Sequence, residues 1–228
     1  YLNLMALSDR RILAALKAGT VVISPFRREN LSTSSYDVAL GEWYFREQKP
    51  GHFRNIFNLY DRTHTEAVWG TEPSKAETAA TVLEANKQEY IGIKPSDKVI
   101  VLEPGETILA HTDEFIGGRE QITTMMKARS SLGRCFIEVC KCAGWGDVCY
   151  INRWTMEITN NSRHYSIPLV VGRRVAQLIF FETGPIIKKD YSQGGKYQSP
   201  NYSLSELEKS WQPTMMLPRL WADREVKA

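Results

Sequence analysis

The run Lys127-Ala128-Arg129-Ser130-Ser131-Leu132-Gly133-Arg134 places two guanidinium groups and two hydroxyls within six positions. Forked guanidinium groups and hydroxyls hold phosphate oxygens, and a helix opening here would add its free N–H groups. The plainer alternative is a helix start at which serine caps and arginine is solvated. Further on, Glu157 is the lone carboxylate in Trp154-Thr155-Met156-Glu157-Ile158-Thr159, a run that reads as a strand. Trp154, Met156 and Ile158 would share one face, and Thr155, Glu157 and Thr159 the other. Such a second face ordinarily meets solvent. A glycine-rich bend, Ala143-Gly144-Trp145-Gly146-Asp147, comes shortly before it and would let a ligand approach the backbone closely. In a partly dry pocket, desolvation would raise the pKa of Glu157 and suit it to general base and acid work. An anion cradle and an isolated acid together point to a site that holds a phosphorylated substrate and moves protons on it. Gly194-Gly195-Lys196-Tyr197 is either an ordinary turn or a lid bringing a cation and an aromatic ring over the phosphates.

The elements that must carry these residues read as mainly β. Ser8 as N-cap, the stripe Ile12, Leu13 and Leu16, and Gly19 as terminator predict one short N-terminal helix. Strands are expected over 21–25 and 36–41, the second ended by Gly41. Residues 44–90 are polar and irregular, broken by Pro50-Gly51, Gly70 and Pro73, with a helix-prone stretch over 75–87. They read as an excursion from the sheet. Further strands are expected over 99–102, 107–112, 136–142, 152–159, 164–171 and 174–181. Glu103-Pro104-Gly105-Glu106, Asn160-Asn161-Ser162 and Gly172-Arg173 supply turns between them. Residues 191–228 read as a flexible lid and tail. Met5-Ala6-Leu7-Ser8-Asp9 looks like a natural start, which makes 1–4 an upstream remnant and 5–228 a single domain.

Composition narrows the function classes. With 43% hydrophobic residues the chain can bury a core, and no apolar run approaches the ~18 residues of a membrane helix. No secretory leader is recognised, so a cytoplasmic setting is expected, or a nuclear one in a eukaryote. The net charge is only +3, and the basic residues are scattered as pairs (Arg10-Arg11, Arg27-Arg28, Arg173-Arg174). That pattern lacks the basic stripe of a duplex-binding protein and fits small anionic ligands at least as well. The four cysteines lie between Cys135 and Cys149 in the spacing C-x4-C-x-C-x6-C, unlike the paired C-x2–4-C of zinc knuckles. Cys140 and Cys142 are expected on one face of a strand as small buried hydrophobes. Walker A, G-x-S-x-G, G-x-G-x-x-G and H-E-x-x-H motifs are absent, as is the zinc-deaminase pattern, so a deamination here would use no metal-activated water.

Taken in order, the motifs resemble those of the dCTP deaminases of the trimeric dUTPase superfamily. The resemblance runs through Ser8-Asp9, Ser35-Tyr36-Asp37-Val38-x-Leu40-Gly41 and Leu102-x-Pro104-Gly105-Glu106-x-x-Leu109-Ala110-x-Thr112-x-Glu114. It continues through Arg129-Ser130-Ser131-Leu132-Gly133-Arg134, Ala143-Gly144-Trp145-x-Asp147 and Trp154-Thr155-x-Glu157, and closes with Val175-Ala176-Gln177-Leu178 and Gly195-Lys196-Tyr197-Gln198. It implies a distorted antiparallel β barrel (dUTPase-like, β-clip) assembled as a homotrimer with shared active sites. It implies hydrolysis of dCTP to dUTP and ammonia, with Mg2+ arriving through the triphosphate, no zinc, and no nucleic-acid or membrane partner. By the same resemblance, Glu157 would activate a water against cytosine C4 and hand its proton to the departing amine. Ser130 and Arg134 would position that water and the base from the neighbouring subunit. The Ala143 backbone would hold the water and Asp147 would support the deoxyribose. Ser131, Gln177, Tyr191 and Lys196 would meet sugar or phosphates, with Arg129 and Tyr197 as further substrate contacts. Val148-Cys149-Tyr150 replaces the family's usual Pro-Gly-aromatic after Asp147, and 44–90 is longer than in compact bacterial members. The rival readings are dUTP diphosphohydrolysis, alone or combined with deamination to give dUMP, and a silent nucleotide-binding module.

Overall fold

The computed structural model describes residues 5–51, 55–83, 90–198, 203–223 and 225–226. Helix α1 (Asp9–Ala18) opens where Ser8 accepts a hydrogen bond from the Arg11 N–H. It closes at Gly19, whose φ of 79° lets its N–H reach the carbonyls of Ala15 and Leu16. Two strands follow, β1 (Val21–Ser24) and β2 (Tyr36–Arg46). The excursion contains α2 (Arg62–Trp69), β3 (Ser74–Lys75), β4 (Glu77–Thr78) and α3 (Ala79–Leu83). Next come β5 (Lys98–Leu102), β6 (Thr107–Gly118), β7 (Ile122–Ala128), α4 (Ser130–Arg134), β8 (Ile137–Val139) and β9 (Trp145–Gly146). The chain then forms β10 (Ile151–Asn160), β11 (Ile167–Val170), β12 (Arg174–Glu182) and α5 (Leu204–Ser210). None of the described helices is long and apolar enough to cross a membrane.

Nine strands make one antiparallel sheet, in the order β8-β10-β6-β2-β12-β7-β9 with β1 added to β6 and β3 to β2. A small second sheet runs β11-β5-β4. Strand β2 is the corner of the structure. Its first residues, Tyr36–Ala39, pair with β12, and its later ones, Tyr44–Arg46, pair with β6. One strand serving two directions curls the sheet around a core that includes Tyr36, Leu40, Ile108, Ile116, Met156 and Phe180. The expected mainly β, distorted antiparallel barrel with a short N-terminal helix is the fold observed.

The differences from expectation are local. Gly41 does not end its strand. A Cβ there would overlap the imidazole of His111, so glycine lets the sheet pass over a buried ring. The ring is satisfied on both sides: its Nδ1 meets the Thr112 carbonyl at 2.8 Å, and its Nε2 accepts from the Trp43 N–H at 3.2 Å. Burial, the largest influence, lowers the pKa of His111 to about 4. Strand β6 runs to Gly118, well beyond the expected end at 112, and β7, whose Thr- and Met-rich sequence alternates weakly, was not anticipated. The expected strand over 136–142 shrinks to Ile137–Val139 because Phe136, Cys140, Lys141 and Cys142 all adopt positive φ. Cys140 is buried but Cys142 is exposed, so the two do not share an inward face. In the excursion the helix begins only at Ala79, behind two short strands, and the remainder of its expected span, from 84, lies outside the described residues. Beyond Tyr191 the described tail packs on the sheet, with Leu207 against Val22, Phe115 and Ile151 and Met216 against Phe45 and Leu109.

The overlap at Gly41 carries a measurable cost. Gly41→Ala is expected to displace His111 and break both of its hydrogen bonds, lowering the unfolding free energy by about 3 kcal/mol. Urea unfolding followed by circular dichroism measures this; an unchanged midpoint would contradict it.

Candidate active site

Strand β10 presents Glu157 through a break in its pairing. Its register against β6 slips between Arg153 and Thr155. Trp154 fills the gap, donating its backbone N–H to Thr112 Oγ1 at 2.9 Å and its indole N–H to the Ile116 carbonyl at 2.9 Å. With Trp154 and Met156 buried inward, Thr155 and Glu157 face a cleft of about 610 Å3. Asp147, Tyr150, Tyr191, Lys196 and Tyr197 line the same cleft, as does Ala143. Glu157 is half-buried, and desolvation raises its pKa above the usual carboxylate range, while Lys141 acts more weakly in the opposite sense.

The bend beside Glu157 stores backbone strain. Cys140, Lys141 and Cys142 have φ of 72°, 38° and 65°, three consecutive left-handed residues with no glycine among them. Each sparsely populated conformation costs on the order of 1–3 kcal/mol. The turn is tied down by the Cys140 N–H on the Glu157 carbonyl at 3.0 Å and by the Ala143 N–H on the Cys140 carbonyl at 2.6 Å. Ala143 is thereby carried to the rim of the cleft. The two glycines that follow serve packing: a Cβ on Gly144 would overlap the Met126 carbonyl, and one on Gly146 would overlap the Trp154 ring. The sequence reading gave these glycines to ligand approach; their close neighbours are instead β7 and Trp154.

The far wall is aromatic. Tyr191 stands edge-on to Tyr150 at 5.0 Å, and Tyr150 edge-on to Trp154 at 5.2 Å. The Tyr191 hydroxyl accepts from the Tyr197 N–H at 3.2 Å, and burial raises the Tyr191 pKa. Gln198 staples this segment to the sheet, accepting from the Ile151 N–H at 2.7 Å and donating to the Cys149 carbonyl at 3.1 Å. Lys196 pairs with Asp223. Arg219 donates to the Lys196 carbonyl at 2.9 Å and, through its backbone N–H, to the Tyr197 hydroxyl at 3.1 Å. Phe57, Leu59 and Trp69 from the excursion, with Met216, Pro218 and Leu220 from the tail, close the outer side of the cleft. Sequence reasoning missed these six; the tryptophans flanking them were the available signal.

The run expected to bind anions lies elsewhere in the chain. Ser130 and Ser131 open α4, a single helical turn, without capping it, and both are exposed, as is Arg134. Arg129 borders a separate cavity of about 670 Å3 together with Arg27, Arg173 and Arg174. Gln177 donates to Asp37 at 3.1 Å. None of these expected contacts lines the Glu157 cleft, so the single chain brings together Glu157, Asp147, Ala143, Tyr191, Lys196 and Tyr197 and keeps the Ser-Arg loop apart.

Residues 6–183 match a family model described as dCTP deaminase-like. The chain belongs to the dCTP deaminase-like family. It is 32% identical over 178 residues to a Hydrogenobaculum sp. (strain Y04AAS1) protein named dCTP deaminase, dUMP-forming, covering 77% of this chain and 81% of that protein. A Bifidobacterium longum (strain DJO10A) protein of the same name is 30% identical over 191 residues, covering 84% and 86%. The solved structure of the Agrobacterium tumefaciens 2'-deoxycytidine 5'-triphosphate deaminase shares the fold, with a TM-score of 0.50 at 14% identity over 78% of this chain and 48% of that one. Glu157, Asp147, the Ser-Arg loop and Gln177 fall inside the dCTP deaminase-like match, whereas Tyr191, Lys196, Tyr197 and the tail wall fall beyond it.

The strained turn offers a direct test. Cys142→Gly is expected to stabilise the fold by about 1 kcal/mol, because glycine adopts positive φ without the Cβ penalty. It is also expected to slow turnover, because Ala143 is held less firmly. Thermal unfolding beside steady-state kinetics separates the two effects; a destabilised variant would show that the turn is not strained.

Proposed function

We propose that this protein hydrolyses dCTP at cytosine C4, releasing ammonia and leaving uracil on the nucleotide. The observation that carries the reading is Glu157, a carboxyl whose pKa is raised by burial, opening into a cleft that also holds Asp147, Lys196 and the tyrosines. Ionised Glu157 takes a proton from a water as its oxygen attacks C4. The tetrahedral centre then collapses as Glu157 returns the proton to the amine, which leaves as ammonia. Acid–base work of this kind contributes roughly 10²–10⁴-fold. Orientation of the water by the Ala143 backbone and by Ser130 and Arg134 supplies more. Asp147 supports the deoxyribose, and Ser131, Arg129, Gln177, Tyr191, Lys196 and Tyr197 meet sugar and phosphates.

The separation of the Ser-Arg loop from the cleft supports a homotrimer in which the exposed loop of one copy completes the cleft of the next. Among the described residues no group of three or more His, Cys, Asp or Glu side chains is placed to hold a metal ion. Mg2+ would arrive carried on the triphosphate and offset phosphate charge, with Lys196 of the cleft as the chain's own cation for the phosphates. A second reading, deamination followed by diphosphohydrolysis to dUMP, is favoured by the name dUMP-forming borne by the relatives and by Asp147 in the same cleft.

Incubation with dCTP and Mg2+, with nucleotides resolved by chromatography and ammonia quantified, is expected to give one ammonia per dCTP consumed. Retained triphosphate marks simple deamination and dUMP the coupled reaction; absence of both uracil nucleotides sinks the proposal. Glu157→Gln is expected to keep nucleotide binding and lose at least about 100-fold in deamination. Because Glu157 must be ionised to act, wild-type turnover should fall on the acid side at a pH above the ordinary carboxylate range. Shared sites have their own signature. Glu157→Gln and Arg134→Ala, each inactive alone, should regain activity when their subunits are mixed and reassembled, and no recovery would place each site within one protomer.

A further inference from the structure

Asp37 is a charged side chain with 5% exposure, buried at the corner of the sheet on β2. Its cross-strand partner on β12 is Gln177, which pairs on its other side with Lys127 of β7. Donors converge on its carboxylate from β12, through Arg174 and Gln177, and from Arg129, which follows β7 at the start of α4. Arg174 Nη1 donates to Oδ2 at 2.8 Å, Gln177 Nε2 donates to Oδ1 at 3.1 Å, and Arg129 Nε stands 3.6 Å from Oδ2. Arg129 Nη1 also donates to the Arg174 carbonyl at 3.2 Å, which locks the two arginines together.

The charge count of this cluster sets it apart from its neighbours. Arg27 is matched by Asp113 and Glu114, and Arg173 by Asp97. Among the described residues Asp37 alone serves two guanidinium groups, and both border the cavity of about 670 Å3. The Asp37 cluster thus holds one more positive than negative charge, although Glu29 also lines the cavity and Arg27 carries a second carboxylate. Long cationic side chains normally lose rotamer freedom when they grip a ligand, and a buried carboxylate that already fixes them removes part of that cost.

We propose that Asp37 is a positioning residue for the nucleotide's phosphates, fixing Arg129 and Gln177 in their binding geometry and enlisting Arg174 as a second guanidinium of the same half-site. The proposal rests on the dCTP reading above and deepens it. Asp37 touches neither the base nor the water, so its removal acts on phosphate affinity and leaves the chemistry at C4 alone.

The test compares ligands that differ only in phosphate number. Calorimetric binding of dCTP and of dCMP, with Mg2+ throughout, is measured on the wild type, Asp37→Asn and Asp97→Asn, the last as a control for loss of an ordinary ion pair. Asp37→Asn is expected to weaken dCTP binding about tenfold or more, the usual scale for a lost charge-assisted contact, to move dCMP by less than about twofold, and to hold kcat within about twofold. Asp97→Asn should leave both ligands unchanged. Asp37→Glu retains the charge but displaces it by a methylene; it is expected to show the same split at smaller amplitude, which covers the case in which the asparagine variant folds poorly. Equal losses for dCTP and dCMP would mark Asp37 as structural only. Tighter dCTP binding would show that it merely offsets positive charge. Either result overturns the proposal. A wild type that binds no dCTP would instead refute the dCTP reading itself.

Discussion

The slip of β10 against β6 at Trp154 is the constraint on which the rest of the site depends. Antiparallel pairing makes side chains alternate, so a one-residue error on β10 would turn Glu157 into the core and Met156 to the cleft. Trp154 prevents that error. Its indole N–H has one acceptor, the Ile116 carbonyl, and its backbone N–H another, the Thr112 hydroxyl. A tryptophan seated by two directional bonds fixes the phase of everything after it. The same ring presses on Gly146, so the register of β10 also sets where the Asp147 hairpin lies. Acid, hairpin and aromatic wall are consequences of one seated side chain.

The sequence made much of this legible, for identifiable reasons. Strand β10 was plain because its apolar residues from Trp154 to Ile158 keep a period of two across a hydrophobic core. Helix α1 was plain because both its caps are local chemistry, Ser8 and Gly19. Strand β7 was not, because Ile122-Thr123-Thr124-Met125-Met126 is buried on both faces and the alternation that marks a half-exposed strand is lost. Gly41 misled for a related reason. Glycine as a strand breaker is a local rule, whereas here it answers to His111, a residue seventy positions away in the chain. The strained run from Cys140 to Cys142 was read as strand because nothing in three non-glycine residues announces positive φ; only its ties to Glu157 and Ala143 impose it.

The candidate site divides along the same line between local and distant causes. Residues whose types announce chemistry, Glu157 and the Ser-Arg loop, stood out from composition and spacing. Residues that shape the space around them did not, because Phe57, Leu59, Met216, Pro218 and Leu220 look like any apolar surface until the chain is folded. Asp37 was visible only as one letter of a motif. Its meaning comes from β12, the strand paired beside it, and from donors up to 140 positions distant.

The outer wall of the cleft joins two parts of the chain that have nothing to do with each other in sequence. Trp69 from the excursion shares a cluster with Met216, Trp211 and Leu217 from the tail, and the Arg62 guanidinium lies over the Trp221 ring at 5.5 Å. Two segments that bury each other cannot be altered independently: a bulkier residue on one side demands a smaller one on the other. In a chimera with another member of the family, the two would have to be exchanged as a pair. The excursion and the tail thus answer to one constraint, the shape of the cavity they enclose together.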